Sequence, residues 1–206
     1  MLHYKTIDPK TLELLNKLMQ IEEFSKLRLV GGTSLALQIG HRQSIDLDLF
    51  GTFDIDEFQL AKILNKLGSN TIIKKTKNIN VYLIEGVKVD LVNYPYQWLE
   101  DIIIEDNIRL ATKKDIVAMK IAAITGRGSK KDFVDIKFLF EYYNLHEMIK
   151  LYKLKYNDAS EMLALKSLSY FDDANEEEDP KMLVEMNWDV VKNEISKNLQ
   201  HYINNI

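Results

Sequence analysis

Leu12, Leu15, Leu18 and Met19 recur at the three- and four-residue spacing that places side chains on one helix face. Asp8 before them supplies an N-cap and Pro9 a first helical residue, so the pattern predicts an amphipathic covering helix. Leu27 to Val30 reads as a short strand running into Gly31-Gly32, with a helix opening from Thr33 to Gln38. Ile45-Asp-Leu-Asp-Leu-Phe50 alternates apolar and acidic residues, the period of a strand with one buried face. Asp56 to Leu67 predicts a helix stopped by Gly68, followed by strands at Thr71 to Ile73, Asn80 to Ile84 and Val87 to Val92, the last two joined by the Glu85-Gly86 turn.

Beyond this point the period changes to that of helices. Thr112 opens a capping-box-like start for a helix through Ile116, Met119, Ile121 and Ala123, ended by Gly126 and Gly128. Further helices are expected at Asp132 to Tyr143, about Asp158 to Ser169, and Trp188 to Ile203 with Asn187 as cap. The acidic run FDDANEEEDP is expected to be a solvated loop. Six of the eight glycines (Gly31, Gly32, Gly40, Gly51, Gly68, Gly86) lie in the first half and none follows Gly128. The expected architecture is therefore α+β: a mixed sheet with flanking helices over residues 1–105, then a helical part over 106–206.

Composition narrows the chemistry. The 206 residues are 46% hydrophobic and 28% charged, a globular balance that excludes disordered and collagen-like chains. No apolar run reaches the roughly 18 residues of a membrane span, and the first residues lack the apolar centre of a signal peptide, so a cytoplasmic protein with no membrane partner is expected. With no cysteine and four scattered histidines, thiolate chemistry is excluded and any metal must be held by carboxylates. A net charge of −4 gives no broad attraction for nucleic acid, leaving only local groupings such as Lys74, Lys75, Lys77 and Lys88, or Lys113, Lys114, Lys130 and Lys131, as a surface for RNA or simply for solubility.

The candidate chemistry lies between Gly31-Gly32 and Asp90. Strand periodicity puts Asp46 and Asp48 on one face, with Leu47 and Leu49 turned into the core. Paired carboxylates repel unless a cation sits between them, which suits a hard divalent ion such as Mg²⁺; a solvated acidic edge strand gives the same pattern. A Gly-Gly turn between strand and helix lets backbone N–H groups and the hydroxyls of Thr33 and Ser34 approach a phosphate. In Val87-Lys-Val-Asp-Leu91 the apolar residues share a face and leave Asp90 on the other, so a third carboxylate converges if the two strands are neighbours. Three such groups are what two Mg²⁺ ions need for in-line attack on a phosphoryl group. Arg42 stands just before the acidic strand, placed to pair with a carboxylate or a phosphate, and His41 beside it reads equally as structural. Tyr94, Tyr96 and Trp98 fit an aromatic packing cluster better than a base-stacking platform.

Gly31-Gly32, Asp46-Leu-Asp-Leu49 and a later strand Asp90 resemble the nucleotidyltransferase pattern of the DNA polymerase β type. The longer string LVGGTSLALQIGHRQSIDLDLF is similar to the first motif of the AbiEii/AbiGii toxin nucleotidyltransferases, agreeing also at Thr33, Leu35, Ala36, His41, Arg42 and Ser44. DIVAMKIAAITGRGSKKDFVDIKFL resembles that family's later motif, with Lys120, Arg127, Lys131, Asp132 and Asp135 in its places and Lys131 where Arg is common. YFDDANEEEDPKML ahead of Trp188 resembles its acidic region, so the likeness spans about residues 25–195. The resemblance implies an enzyme moving a nucleoside monophosphate from an NTP to a hydroxyl, with Asp46, Asp48 and Asp90 on Mg²⁺ and Gly31, Gly32, Thr33, Ser34, Arg42 and Arg127 toward the nucleotide. It also implies that Lys120 neutralises the departing pyrophosphate, and that one of Asp132 and Asp135, with Asp135 favoured, orients Lys120 or an acceptor group. The implied acceptor is an RNA such as a tRNA 3′ end, in a toxin with a cognate antitoxin; a nucleotidyltransferase acting on a small molecule such as an antibiotic, or a non-catalytic nucleotide-binding module, are the competing readings.

Overall fold

In the computed structural model, which describes residues 1–205, the chain forms two compact units. The first comprises Met1–Pro95 and Ile102–Ala111; the second comprises Tyr96–Asp101 and the chain from Thr112 onward. The boundary expected near residue 105 falls in the turn of a hairpin belonging to the first unit.

The first unit is built on a seven-stranded mixed sheet: β1 (Arg28–Leu29), β2 (Leu47–Gly51), β3 (Asn70–Lys75), β4 (Ile79–Ile84), β5 (Val87–Asn93), β6 (Ile103–Glu105) and β7 (Ile108–Leu110). Their order across the sheet is β3-β4-β5-β2-β1-β7-β6. β2 runs parallel to β5 and β1 parallel to β7, while the other pairs are antiparallel. Alternation in β2 and β5 sends Leu47, Leu49, Val89 and Leu91 into the core and leaves Asp48 and Asp90 half-buried on the opposite face. Helix α1 (Pro9–Met19) starts as its sequence dictates, with the Asp8 carboxylate accepting from Thr11 N–H at 3.0 Å, and buries Leu14, Leu15, Leu18 and Met19. Helix α2 (Gly31–Ile39) begins on the glycine pair itself, two residues earlier than expected, and ends at Gly40 in the left-handed conformation. Helix α3 (Glu57–Asn65) is capped by Asp56.

The β6–β7 hairpin was not anticipated. It turns on Asp106 and Asn107, both at positive φ (50° and 64°), the backbone of a tight two-residue hairpin turn. Arg109 on β7 fastens it: Nε and both guanidinium amines donate to the carbonyls of Leu27, Met19 and Phe24 at 2.8, 2.8 and 3.1 Å. Three backbone acceptors are thus gathered by one side chain.

The second unit is helical: α4 (Lys113–Gly126), α5 (Lys130–Leu139), α6 (Leu145–Lys155), α7 (Glu161–Leu168), α8 (Asp172–Asn175) and α9 (Trp188–Ile203). Helix α6, absent from the expectation, opens with a full capping box between Asn144 and Glu147. The acidic run is not simply a solvated loop. Its first residues form α8, and further along Glu177 and Asp179 clasp Lys130: the Lys130 N–H donates to Glu177 Oε2 at 2.8 Å, and Nζ meets the Glu177 carbonyl and, at 3.1 Å, Asp179 Oδ1. Phe133, Phe171 and Trp188 stack edge to face beside this clasp. No helix among the described residues is long and apolar enough to cross a membrane.

Candidate active site

The acidic residues are assembled by strand pairing. In the parallel β2–β5 pair, Asp48 lies directly opposite Asp90, flanked by the registers Leu47–Val89 and Leu49–Leu91. Two residues of one face therefore carry carboxylates side by side on neighbouring strands, a pairing that the sequence left conditional on the strand order. Asp46 precedes β2 and its carbonyl accepts the Thr33 hydroxyl, which also donates to Ser44 Oγ at 2.9 Å. This links the mouth of α2 to the start of the acidic strand.

The glycine pair is explained by what fills its space. A Cβ on Gly31, whose φ is +67°, would lie 2.2 Å from Asp48 Oδ2; one on Gly32 would lie 2.2 Å from an Arg42 guanidinium nitrogen and 3.2 Å from Ser44 Oγ. Bare glycine backbone thus lets a carboxylate and a guanidinium close on the first residues of α2, where unpaired N–H groups and the helix dipole favour an anion. Arg42 is buried and donates to the Gln43 carbonyl at 3.0 Å; His41 beside it is buried too. Thr33 and Ser34 are also buried, their hydroxyls engaged with Asp46, Ser44 and the Gln38 side chain. These four residues hold the loop in shape from within.

One residue that the sequence offered only as part of a basic grouping enters the acidic face. Lys88, two positions before Asp90 on β5 and so on the same face, places Nζ 2.8 Å from Asp90 Oδ1. Partial burial pulls the Lys88 ammonium downward in pKa, but the Asp90 hydrogen bond and the charges of Asp90, Asp48 and Asp46 prevail and hold it above the usual lysine value. Its ion pair, however, is with Asp90. Among the described residues no group of three or more His, Asp or Glu side chains is placed to hold a metal ion. The carboxylates of this face offer hard oxygen donors, the class that a divalent ion such as Mg²⁺ prefers.

In the second unit, Lys120 is no surface lysine. Helix α4 is buried on nearly all sides, and Lys120 within it pairs with Asp132 at 2.9 Å and with Asp135, both carboxylates fully buried on α5. Asp132 is the hub. It also accepts from Arg127 Nε at 3.0 Å and from Ser129 Oγ at 2.7 Å. Burial pushes its pKa up, but Lys120, Arg127 and Ser129 outweigh that and bring it down to about 2. Lys120 is thus held by both Asp132 and Asp135. Two cations and two carboxylates make the cluster formally neutral, and Arg127, whose side chain is 62% exposed, is the member that faces solvent.

A second buried pair, also unforeseen, lies in the same unit. Lys155 Nζ donates to Asp115 Oδ1 at 2.7 Å and to the Gln97 carbonyl at 3.0 Å, and sits 4.5 Å from the centre of the Trp98 ring. The aromatics after β5 divide accordingly: Tyr94 packs on Phe50 in the first unit, while Tyr96 meets Tyr156 in the second. Several lysines considered for an RNA surface have acidic partners: Lys75 with Glu57, Lys88 with Asp90, Lys114 with Glu100 and Lys130 with Asp179.

Comparison with known proteins decides the family. The model of the nucleotidyl transferase AbiEii toxin family, a type IV toxin–antitoxin system, matches residues 13–90 and 78–201. The chain belongs to the AbiEii nucleotidyltransferase toxin family. An uncharacterized protein of Aquifex aeolicus (strain VF5) is 36% identical over 204 residues, covering 94% of this chain and 96% of its own. The crystal structure of JHP933 from Helicobacter pylori shares the fold with a TM-score of 0.59 at 17% identity, covering 95% of this chain and 92% of that one. So does MenT4, a nucleotidyltransferase toxin of Mycobacterium tuberculosis H37Rv, with a TM-score of 0.54 at 13% identity, covering 92% and 81%. AbiEii membership makes this chain a nucleotidyltransferase, and the α+β architecture read from its sequence is the one these structures share.

Proposed function

We propose that this AbiEii-type protein transfers a nucleoside monophosphate from an NTP to a hydroxyl of a cellular RNA, such as a tRNA 3′ end, with Asp46, Asp48 and Asp90 as the carboxylates that hold Mg²⁺. The observation that carries the reading is the register of Asp48 with Asp90 on parallel β2 and β5. Bound there, the metal supplies charge neutralisation for the phosphoryl oxygens and the attacking oxygen. Asp48, against the start of α2, fixes the face on which the triphosphate is received. Asp90 takes the proton of the attacking hydroxyl in this reading. Gly31 and Gly32 offer backbone N–H groups to the phosphates, and Arg42, Thr33 and Ser34 keep that turn in shape from beneath. Within the second unit Asp132 and Asp135 hold Lys120, and Asp132 holds Arg127; it is the family resemblance that assigns these two cations to phosphate charge. An AbiEii protein of this type works in the cytoplasm with a cognate antitoxin to restrain it.

The test is incubation of purified protein with each α-labelled NTP, Mg²⁺, and either total cellular RNA or a panel of hydroxyl-bearing small molecules. Label in RNA from wild type, reduced at least a hundredfold in Asp48→Asn and Asp90→Asn proteins of unchanged circular dichroism, is the expected result. Label in a small molecule instead would replace RNA as acceptor. NTP binding with no transfer to any acceptor would overturn the enzymatic reading of this site.

A further inference from the structure

Lys88 has no role in the scheme above, yet its ammonium lies against the acidic face. It shares that face with Asp90 through the two-residue period of β5, and its Nζ lies 2.8 Å from Asp90 Oδ1. The Lys88 side chain is 40% exposed while that of Asp90 is 19% exposed, so the ammonium reaches in from the solvent side on a flexible stem. Asp48 stands directly across from Asp90, and Lys88 feels the charge of Asp48 and Asp46 as well. Two carboxylates in register on adjacent strands repel one another, and like charges placed opposite are destabilising unless a cation lies between them. Among the described residues, Lys88 is the side chain that meets the Asp90 carboxylate.

We infer that Lys88 is a built-in counter-ion for the acidic site: its ammonium holds Asp90 in place when no divalent cation is bound and must withdraw from Asp90 when one binds. The inference rests on the metal-binding assignment of Asp46, Asp48 and Asp90 proposed above. A divalent ion seeks the same oxygen that Lys88 already engages, so binding and ion-pair release are coupled. Lys88 thereby sets the metal affinity of the empty enzyme below what the carboxylates alone would give, and the exposed stem allows the ammonium to leave without unfolding β5. It is a positioning residue, acting on the reaction through Asp90.

The test is Mn²⁺ binding to nucleotide-free protein, followed by electron paramagnetic resonance of free Mn²⁺, with thermal unfolding in chelator and in Mn²⁺ as a second readout. Wild type, Lys88→Met, Lys88→Arg and Asp48→Asn are compared. Lys88→Met is expected to bind Mn²⁺ about five- to tenfold more tightly than wild type, as loss of one nearby, partly screened positive charge implies. Its melting temperature is expected to fall in chelator and to rise more than that of wild type on adding Mn²⁺. Lys88→Arg, which keeps the charge, is expected to bind as wild type does, and Asp48→Asn to bind weakly or not at all. Saturable Mn²⁺ binding abolished in Asp48→Asn but equal or weaker in Lys88→Met would overturn the counter-ion role and leave the metal site standing. Absence of Asp48-dependent binding in both wild type and Lys88→Met would remove the metal site and the counter-ion role together.

Discussion

At the scale of single residues, the charges of this protein are placed where they must be answered. Asp132 is buried among Lys120, Arg127 and Ser129, and its pKa is held at about 2 by those partners against the upward push of burial. The folded-state value lies below the usual 3.8, so the group binds a proton more readily when the chain is unfolded. Its stabilising contribution of about 2 kcal/mol is complete above the unfolded value and disappears as pH falls from about 4 to about 2. Urea unfolding at a series of pH values should show stability falling through that window in wild type. In Asp132→Asn the fall should be shallower by about that amount, from a starting stability lowered at neutral pH because Lys120 loses one of its two partners. The glycine pair makes the same point in steric terms: Gly31 is needed because Asp48 occupies the place of its side chain.

At the scale of elements, helix α4 shows why buried charges come in pairs. It is surrounded closely enough that Asp115 and Lys120 are both inside, and each is met from another helix, by Lys155 of α6 and by Asp132 and Asp135 of α5. No periodicity in the α4 sequence announces those partners, which lie 12 to 40 residues away along the chain. The β6–β7 hairpin offers the opposite lesson. Its Asp106-Asn107 turn was readable as a hairpin signal, but strands of three residues each are too short for an apolar period to stand out. Both turn residues sit at positive φ, and Asn107 makes the better site for substitution because Asp106 accepts a 2.6 Å hydrogen bond from the Tyr4 hydroxyl. Asn107→Gly should raise the stability to chemical denaturation by about 0.5 kcal/mol, with an unchanged slope against denaturant.

At the scale of the whole molecule, the chain does not divide at one point. It leaves the first unit after Pro95, contributes Tyr96–Asp101 to the second, returns for Ile102–Ala111, and passes to the second for good at Thr112. The returning hairpin supplies β7 as the parallel partner of β1 and Arg109 as the ligand of three carbonyls. A fragment of residues 1–95 should therefore keep β2 beside β1 but lose β7, its parallel partner, together with the Arg109 hydrogen bonds to the carbonyls of Leu27, Met19 and Phe24. It is expected to show little protection from amide exchange in β1 and α1, whereas a fragment of residues 1–111 should keep protection there. Equal protection in the two would mean that β6 and β7 are dispensable to the sheet.

Much of this was legible in the chain itself. The alternation at Ile45 to Phe50 and Val87 to Leu91 determined which side of each strand carries Asp48 and Asp90, because a two-residue period admits only two faces, whereas Asp46 falls just before β2. Local signals likewise determined the starts of α1, α3, α4 and α9, where Asp8, Asp56, Thr112 and Asn187 cap the first turn. The tertiary structure alone decided what lies across from what. That Asp48 meets Asp90, that Lys88 leans onto the latter, that Arg42 fills the space beside Gly32, and that Asp132 gathers Lys120, Arg127 and Ser129 are facts of strand order and helix packing. Such pairings join residues with no common local period, and only the folding of distant segments onto one another fixes them.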